Sequence, residues 1–231
     1  MEGVEALMKH IYVFPLVGLA LGAILGVFAF ALERFLPMSL TAVAVIALIY
    51  KLCGINHIDG LADFGDGVIA HGTVEKKIQA MKDVYIGTGG VVFIALALLS
   101  LYAVLAPMPT QILPLALIVS EVSAKGAMIC FAAFSTSLQK GFGQMMIERT
   151  GPKHFTIGLI ISTIFCYATL GILGLACLAA SQITALYMVS VAKRNFGGAT
   201  GDGIGASNEV CRIVALTAAL ALGGVLPWMP W

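Results

Sequence analysis

Charged residues are scarce in this sequence. Asp, Glu, Lys and Arg make up only 11% of its 231 residues, against roughly 25% in soluble globular domains. Hydrophobic residues make up 60%, so we expect an integral membrane protein with little or no soluble domain. With a net charge of +1 and no dense basic cluster, nucleic acid is not an expected partner.

The cysteines are too scattered for a zinc site or a disulfide framework. There are five, none in a Cys-x-x-Cys pair, and we interpret them as small apolar packing residues. The sequence also lacks a visible repeat of about 20–50 residues or a low-complexity linker. We therefore treat 1–231 as a single integral-membrane domain.

Apolar segments of spanning length recur along the chain. A spanning helix needs about 20 mostly apolar residues. The segments that we predict to span lie near 11–32, 39–53, 88–106, 111–134, 156–179, 182–192 and 211–228. The predicted fold is an all-α polytopic bundle of about seven spans. Because the second and sixth segments are short, counts from six to eight are compatible with the pattern.

The distribution of basic residues predicts the orientation. Most lysines and arginines fall in three long polar loops, which are 54–87, 135–155 and 193–210. The loops predicted at 107–110 and 180–181 carry no charge. With seven spans the basic loops and the N-terminus share one side, which the positive-inside rule makes cytoplasmic. The polar motifs described next are therefore predicted to face one cytoplasmic cavity.

Three aspartates form the clearest candidate site. Asp59, Asp63 and Asp66 are spaced i, i+4 and i+7, so on a helix they share one face. Like charges this close repel one another, and an all-oxygen cluster is the usual partner of Mg²⁺, with Mn²⁺ as the alternative. The other interpretation is a solvated helix face. We favour the metal site.

A second polar motif follows at 81–90. Lys82 and Asp83 precede the turn Ile86-Gly87-Thr88-Gly89-Gly90. A lysine and the free N–H groups at the start of the next helix suit an anionic ligand. The alternative is an ordinary charge pair followed by a flexible turn.

A third motif is the glycine-rich run 197–206, which contains Asp202 and is followed by Glu209. No βαβ unit surrounds it, which argues against a dinucleotide-binding fold. Dense glycines allow backbone to approach a ligand closely, and Asp202 would complete or extend the metal shell. The alternative is a turn with a structural aspartate.

Two further features concern polar residues near the apolar segments. Glu121 and Lys125 lie at i and i+4 inside the fourth predicted span, where a mutual ion pair is the favoured interpretation. His57 precedes the Asp cluster. It is predicted as a ligand, a general base or a hydrogen-bonding neighbour.

Gly18, Gly22 and Gly26 form a small-residue stripe on the first helix. Such stripes allow close helix packing. Packing within the bundle is the favoured interpretation, and a homo-oligomer is the alternative.

Together these motifs resemble the cobalamin synthase family, the adenosylcobinamide-GDP ribazoletransferases. The resemblance follows the family's order over nearly the whole chain. It rests on Asn56-His57-Ile58-Asp59-Gly60-Leu61-Ala62-Asp63 with Asp66-Gly67, on Met81-Lys82-Asp83 with Ile86-Gly87-Thr88, and on Gly197-Gly198-Ala199-Thr200-Gly201-Asp202 with Gly205-Ala206 and Glu209.

The sequence departs from the commonest family form at a few positions. Val84 and Tyr85 stand where a Ser-Arg pair is frequent, so one expected cation is missing. Lys125 lies near the place of an arginine, and Arg212 lies where a second acidic residue often follows Glu209. These departures look like an archaeal-type branch.

The resemblance implies a Mg²⁺-dependent phosphoryl transfer at the cell membrane, with the catalytic face cytoplasmic. A ribose hydroxyl of α-ribazole, or of its 5′-phosphate, attacks the cobinamide-linked phosphate of adenosylcobinamide-GDP. GMP leaves, and adenosylcobalamin or its 5′-phosphate is formed.

It also implies roles for individual residues. Asp59, Asp63, Asp66 and Asp202 would hold the metal, and Lys82 would assist electrostatically. A carboxylate of the cluster is our first choice for the general base and His57 the second. The residues predicted to contact substrate are Asn56, Lys82, Asp83, Gly87, Thr88, Gly198, Thr200, Gly201 and Glu209.

Two rival functions predict different patterns of charged residues. A CDP-alcohol phosphotransferase predicts a basic residue after Asp-Gly-x-x-Ala, where Asp63 stands here. A divalent-cation transporter predicts acidic residues within helices or in two related halves. The acidic residues here gather instead in the predicted cytoplasmic loops.

Overall fold

The computed structural model describes residues 10–138 and 142–228, with the side chain of Phe142 left out. Regular structure in these residues is helical, which confirms the predicted all-α class. After a 3₁₀ turn at Ile11–Val13, the helices are α1 (Phe14–Leu32), α2 (Met38–Cys53), α3 (Asn56–Ile69), α4 (Val74–Met81), α5 (Thr88–Leu105), α6 (Leu113–Ala133), α7 (Phe142–Arg149), α8 (Pro152–Phe196) and α9 (Gly201–Leu222).

Five helical segments are long and apolar enough to cross a membrane. They are Ile11–Leu32, Thr88–Leu105, Leu113–Ala133, Pro152–Phe196 and Gly201–Leu222. The pair α2 and α3, bent by 93°, passes the same test together and makes a sixth candidate. The chain is thus a multi-pass membrane protein. The count of about seven spans and the cytoplasmic orientation stay predictions, and residues 1–9 lie outside the described part.

Helix α8 is interrupted once, in a place that the sequence analysis did not predict. Leu170 and Gly171 have non-helical backbone angles, and Gly171 has a φ of 54°, which glycine adopts at little cost. A Cβ added to Gly174 would overlap the carbonyl oxygen of Cys166. The chain therefore folds back here, and its two limbs run antiparallel.

Both limbs of α8 pack on α6 at the same level. The side chains of Ser162 and Gln182 lie against Gly126, and the Ser181 hydroxyl donates to the Ser123 carbonyl at 3.2 Å. The loop predicted at 180–181 is therefore wrong, because these polar residues lie within the helix and face α6.

Helix α6 is the centre of the bundle, because 89% of its apolar 18-residue stretch is buried. The glycine stripe of α1 packs directly on it. A Cβ at Gly22 would lie 2.5 Å from the Ile118 Cα, and one at Gly26 would lie 2.6 Å from the Pro114 carbonyl oxygen. Packing of the stripe within the bundle is thereby confirmed, and the homo-oligomer stays a prediction.

The polar segment predicted as a loop at 193–210 is mostly helical. Helix α8 continues to Phe196 and ends at Gly197, whose φ is 80°, and α9 already begins at Gly201. The Thr200 hydroxyl caps α9 by accepting a hydrogen bond from the Gly203 N–H at 3.3 Å. This part of the loop prediction is wrong because glycines here serve close helix packing.

The segments 136–138 and 199 join by two backbone hydrogen bonds. The Ala199 N–H donates to the Thr136 carbonyl at 2.8 Å, and the Leu138 N–H donates to the Ala199 carbonyl at 3.0 Å. The polar segment after α6 is thereby held at the beginning of α9. The first polar loop, 54–87, folds largely into α3 and α4.

Candidate active site

Helix α3 packs closely against the first turns of α9. A Cβ at Gly60 would lie 3.0 Å from the backbone of Asp202, and a Cβ at Gly205 would lie 3.2 Å from the His57 Cα. The residue pairs run in opposite order along the two helices, so the helices are antiparallel. Glycines from both motifs thus bring Asp202 beside the Asp cluster.

A cavity of about 330 Å³ opens at this contact. Its polar lining comes from Asn56, His57, Asp59, Gly201 and Asp202. Gly143 and Met146 of α7 close another side. The cavity thus joins Asp59 of the Asp cluster, part of the 135–155 region and the Asp202 motif. That Asp63 and Asp66 face the same cavity stays a prediction.

The aspartates near this cavity repel one another electrostatically, and one lysine lies beside them. Asp63 is half-buried. The carboxylates of Asp202, Asp59 and Asp66 lie close enough for their negative charges to disfavour a negative charge on Asp63. The exposed Lys82 lies close enough to Asp202 for its positive charge to stabilise the Asp202 carboxylate. Like charges of this density are a costly arrangement for a protein to keep without a cation. The structure therefore gathers all four predicted aspartates and the predicted lysine in one region.

Asp66 has a different local role from Asp59 and Asp202. Its Oδ2 accepts a hydrogen bond from the Gly87 N–H and its Oδ1 accepts one from the Gly90 N–H, both at 2.8 Å. The carboxylate therefore caps the N-terminus of α5, where negative charge is favourable. The anion that these N–H groups bind in this structure is the protein's own Asp66.

We expect Asp66→Asn to lower the free energy of unfolding by about 1–2 kcal/mol, because an amide replaces a charged cap that accepts two bonds. Thermal unfolding in detergent micelles measures this. Thr73, which caps the exposed helix α4 by accepting from the Lys76 N–H at 3.5 Å, provides the comparison. Thr73→Ala should cost less, and an equal or larger cost would contradict the cap described for Asp66.

Behind the cavity lies a buried network of charges. The Arg212 guanidinium, which is fully buried, donates to Glu121 through Nε and to Glu209 Oε1 through Nη1 at 2.6 Å. Lys125 lies 3.5 Å from Glu121, which confirms the predicted ion pair. Two acidic and two basic groups therefore balance one another inside the bundle.

Comparison with known proteins identifies the family. The sequence profile of the cobalamin-5-phosphate synthases matches residues 2–220. The chain belongs to this family. The resemblance predicted from the three motifs is thus confirmed.

Relatives of the family match over most of their length. The adenosylcobinamide-GDP ribazoletransferase of Methanococcoides burtonii is 37% identical, covering 94% of this chain and 83% of the relative. The protein of the same name from Methanosarcina mazei is also 37% identical, over 100% of this chain and 91% of its own. That of Caldanaerobacter subterraneus is 34% identical over 87% and 83%. No solved structure matches the chain.

In this family member the donor chemistry around the cavity fits a hard divalent cation in part. Within residues 10–138 and 142–228, no three His, Cys, Asp or Glu side chains are placed to hold one ion together. Mg²⁺, however, is usually bound by one or two carboxylates together with substrate phosphates and water. Asp59 and Asp202, which line the same cavity, fit that pattern, whereas both oxygens of Asp66 are already engaged.

The other residues predicted to contact substrate are dispersed. Gly87, Thr88 and Asp83 line a second cavity of about 280 Å³ beside Asp66. Gly198 is buried against Thr136 and Leu138. Thr200 is buried at the beginning of α9, and Glu209 belongs to the charge network. Their predicted contacts with substrate stay predictions.

Two polar residues behind the cavity, Asn208 and Tyr50, were not predicted from the sequence. Asn208 connects Lys125 to His57, with a 2.7 Å bond from the Lys125 Nζ to its Oδ1. The Tyr50 hydroxyl donates to Glu209 Oε2 at 3.2 Å. The i, i+3 spacing of Glu209 and Arg212 on one helix was a signal for part of this network.

Proposed function

We propose that this membrane protein transfers the cobinamide phosphate of adenosylcobinamide-GDP to α-ribazole or α-ribazole 5′-phosphate. The observation that carries the proposal is the cavity at which Asp59, Asp202 and His57 meet. Family membership and the names of the relatives support the substrates. The reaction class fits a cavity whose described lining supplies carboxylates and polar groups and contains no serine or cysteine.

The bonds that change follow from the substrates. A ribose oxygen of the ribazole forms a new bond to the phosphorus next to cobinamide, and the bond from that phosphorus to GMP breaks. The hydroxyl proton passes to a carboxylate of the cluster. Because such transfers depend on in-line positioning and charge stabilisation, the chain's task is to orient two substrates in the cavity. The products are GMP and adenosylcobalamin or its 5′-phosphate.

Asp59 and Asp202, which line the cavity, are the residues proposed to hold Mg²⁺, with Mn²⁺ as the alternative. The ligand role predicted for Asp63 stays a prediction. The ion would neutralise negative charge on the pyrophosphate. Lys82, whose charge acts on Asp202, would hold a further phosphate oxygen. The basic residues near this end of the bundle support a cytoplasmic catalytic face.

The test is product formation by the purified protein in lipid vesicles, with adenosylcobinamide-GDP, α-ribazole and Mg²⁺. We expect GMP and the completed corrinoid in equal amounts, only when both substrates are present. GMP released without α-ribazole would indicate a hydrolase. No product from folded protein with either form of ribazole would overturn the assignment and favour the CDP-alcohol or transport alternatives.

A further inference from the structure

His57 lies between the cavity and the buried charge network. The residue lines the cavity, and its Nδ1 lies 3.3 Å from the Asn208 Nδ2. Which of these two nitrogens donates decides which ring nitrogen of His57 carries the proton in the neutral side chain. That choice depends on how the Asn208 amide is oriented.

Two charged neighbours fix the Asn208 amide. On one side the Lys125 ammonium, which can only donate, lies 2.7 Å from Oδ1. On the other side Glu209 Oε1 lies 3.1 Å from Nδ2, and this carboxylate is paired with the Arg212 guanidinium at 2.6 Å, so it accepts. Reversing the amide would place NH₂ against an ammonium and oxygen against a carboxylate. Nδ2 therefore donates, and the Nδ1 of His57 accepts.

We propose that Asn208 is a positioning residue that holds His57 with a bare Nδ1 and with its proton on Nε2, directed to the cavity. No residue in the described part of the chain hydrogen-bonds the His57 Nε2, which leaves this N–H for a ligand. The ligand chemistry that it suits is an anionic phosphate oxygen. The identity of that ligand rests on the proposed function, whereas the state of the ring does not.

This assignment changes the role of His57 in the transfer reaction. A ring nitrogen that already carries a proton donates a hydrogen bond and does not abstract the ribose proton. His57 is thus removed as the second choice for the general base, and the carboxylates of the Asp cluster remain. Lys125 and Glu209 are themselves buried, and the hydrogen bonds of Asn208 connect them to His57 at the cavity.

The direct test is nitrogen NMR of the full chain in lipid nanodiscs, with labelled histidine and without substrate at neutral pH. The His57 signals are assigned by their loss in His57→Gln. We expect Nδ1 to give the shift of a bare nitrogen and Nε2 that of a protonated one. The opposite pattern in the wild type would overturn the proposal, whatever the enzyme's activity.

Variants of Asn208 test whether this residue determines the tautomer of His57. In Asn208→Asp, only oxygen faces the ring, so the tautomer should reverse to Nδ1–H; in Asn208→Leu both tautomers should appear. The matched control is Asn195→Leu, because Asn195 also accepts from a lysine, Lys77, at 2.6 Å but lies away from His57. An unchanged His57 spectrum in both Asn208 variants, in folded protein, would contradict the proposal.

Kinetic measurements distinguish whether His57 donates a hydrogen bond to substrate or acts as a general base. In His57→Gln the amide oxygen can accept from Asn208 while its NH₂ donates into the cavity, so kcat/KM should stay within about tenfold of the wild type. His57→Leu, which removes the donor, should lower it by about 10- to 100-fold. Equal loss in the two variants would mean that His57 acts as a base. Absence of activity in the wild type would refute the proposed function but leave the NMR result standing.

Discussion

Asp202→Asn is expected to lower kcat/KM for GMP release by about 10²- to 10³-fold while the bundle stays folded. Among the residues that the structure describes, Asp202 and Asp59 are the carboxylates that line the cavity. Loss of one charge would weaken a site that binds its ion through one or two carboxylates and the substrate phosphates. The Mg²⁺ concentration for half-maximal rate should rise in the same variant, and EDTA should abolish the rate in the wild type until Mg²⁺ is restored.

The control for Asp202→Asn is Glu75→Gln, on the exposed face of α4, which should leave both the rate and the Mg²⁺ requirement unchanged. Asp66→Asn is a useful comparison, since its main expected effect is on stability. A wild-type Mg²⁺ requirement in Asp202→Asn, together with full GMP release, would contradict a metal site at this cavity. A rate that survives EDTA would contradict the metal altogether.

The meeting of the Asp cluster with Asp202 could be predicted from the motifs, but its geometry could not. The spacing of Asp59, Asp63 and Asp66 correctly predicted one helical face. It did not show that Asp66 would be used to cap α5, because that bond joins residues 21 positions apart. Glycine density likewise suggested a ligand loop at 197–206, whereas Gly203 and Gly205 allow α9 to pack against Phe131 and His57.

The misplaced break in α8 has a physical cause. Ser181 and Gln182 interrupt an apolar run, which resembles a loop when hydropathy alone is read. In the bundle both face α6, where the Ser181 hydroxyl donates a hydrogen bond to the Ser123 carbonyl. The real reversal at Leu170 and Gly171 lies in apolar sequence that contains two glycines, Gly171 and Gly174. No hydropathy signal marks it, and only packing of both limbs on α6 requires it.

The ion pairs between distant residues of the buried network could not be predicted from the sequence either. The Glu121–Lys125 pair follows from i, i+4 spacing, but Arg212 reaches Glu121 across 91 positions. From its motif, Arg212 is predicted only to differ from the acidic residue frequent in the family. Its position between two buried carboxylates shows that it balances their charge.

Arg212→Met is expected to lower the free energy of unfolding by about 3–5 kcal/mol, since it leaves a buried carboxylate without its partner. Arg212 is fully buried and bonds to both Glu121 and Glu209. Unfolding of the purified protein by heat or by denaturant in micelles measures the loss. Arg194→Met is the matched control, because Arg194 is exposed near the end of α8; it should change stability by about 0.5 kcal/mol or less.

The double variant Arg212→Met with Glu121→Gln distinguishes lost charge balance from lost packing. It removes one charge of each sign and leaves Lys125 with Glu209 as the remaining opposite charges. If imbalance causes the instability, the double variant should be more stable than Arg212→Met alone, with a coupling energy of about 1–3 kcal/mol. Equal or greater instability would mean that Arg212 acts mainly by filling space.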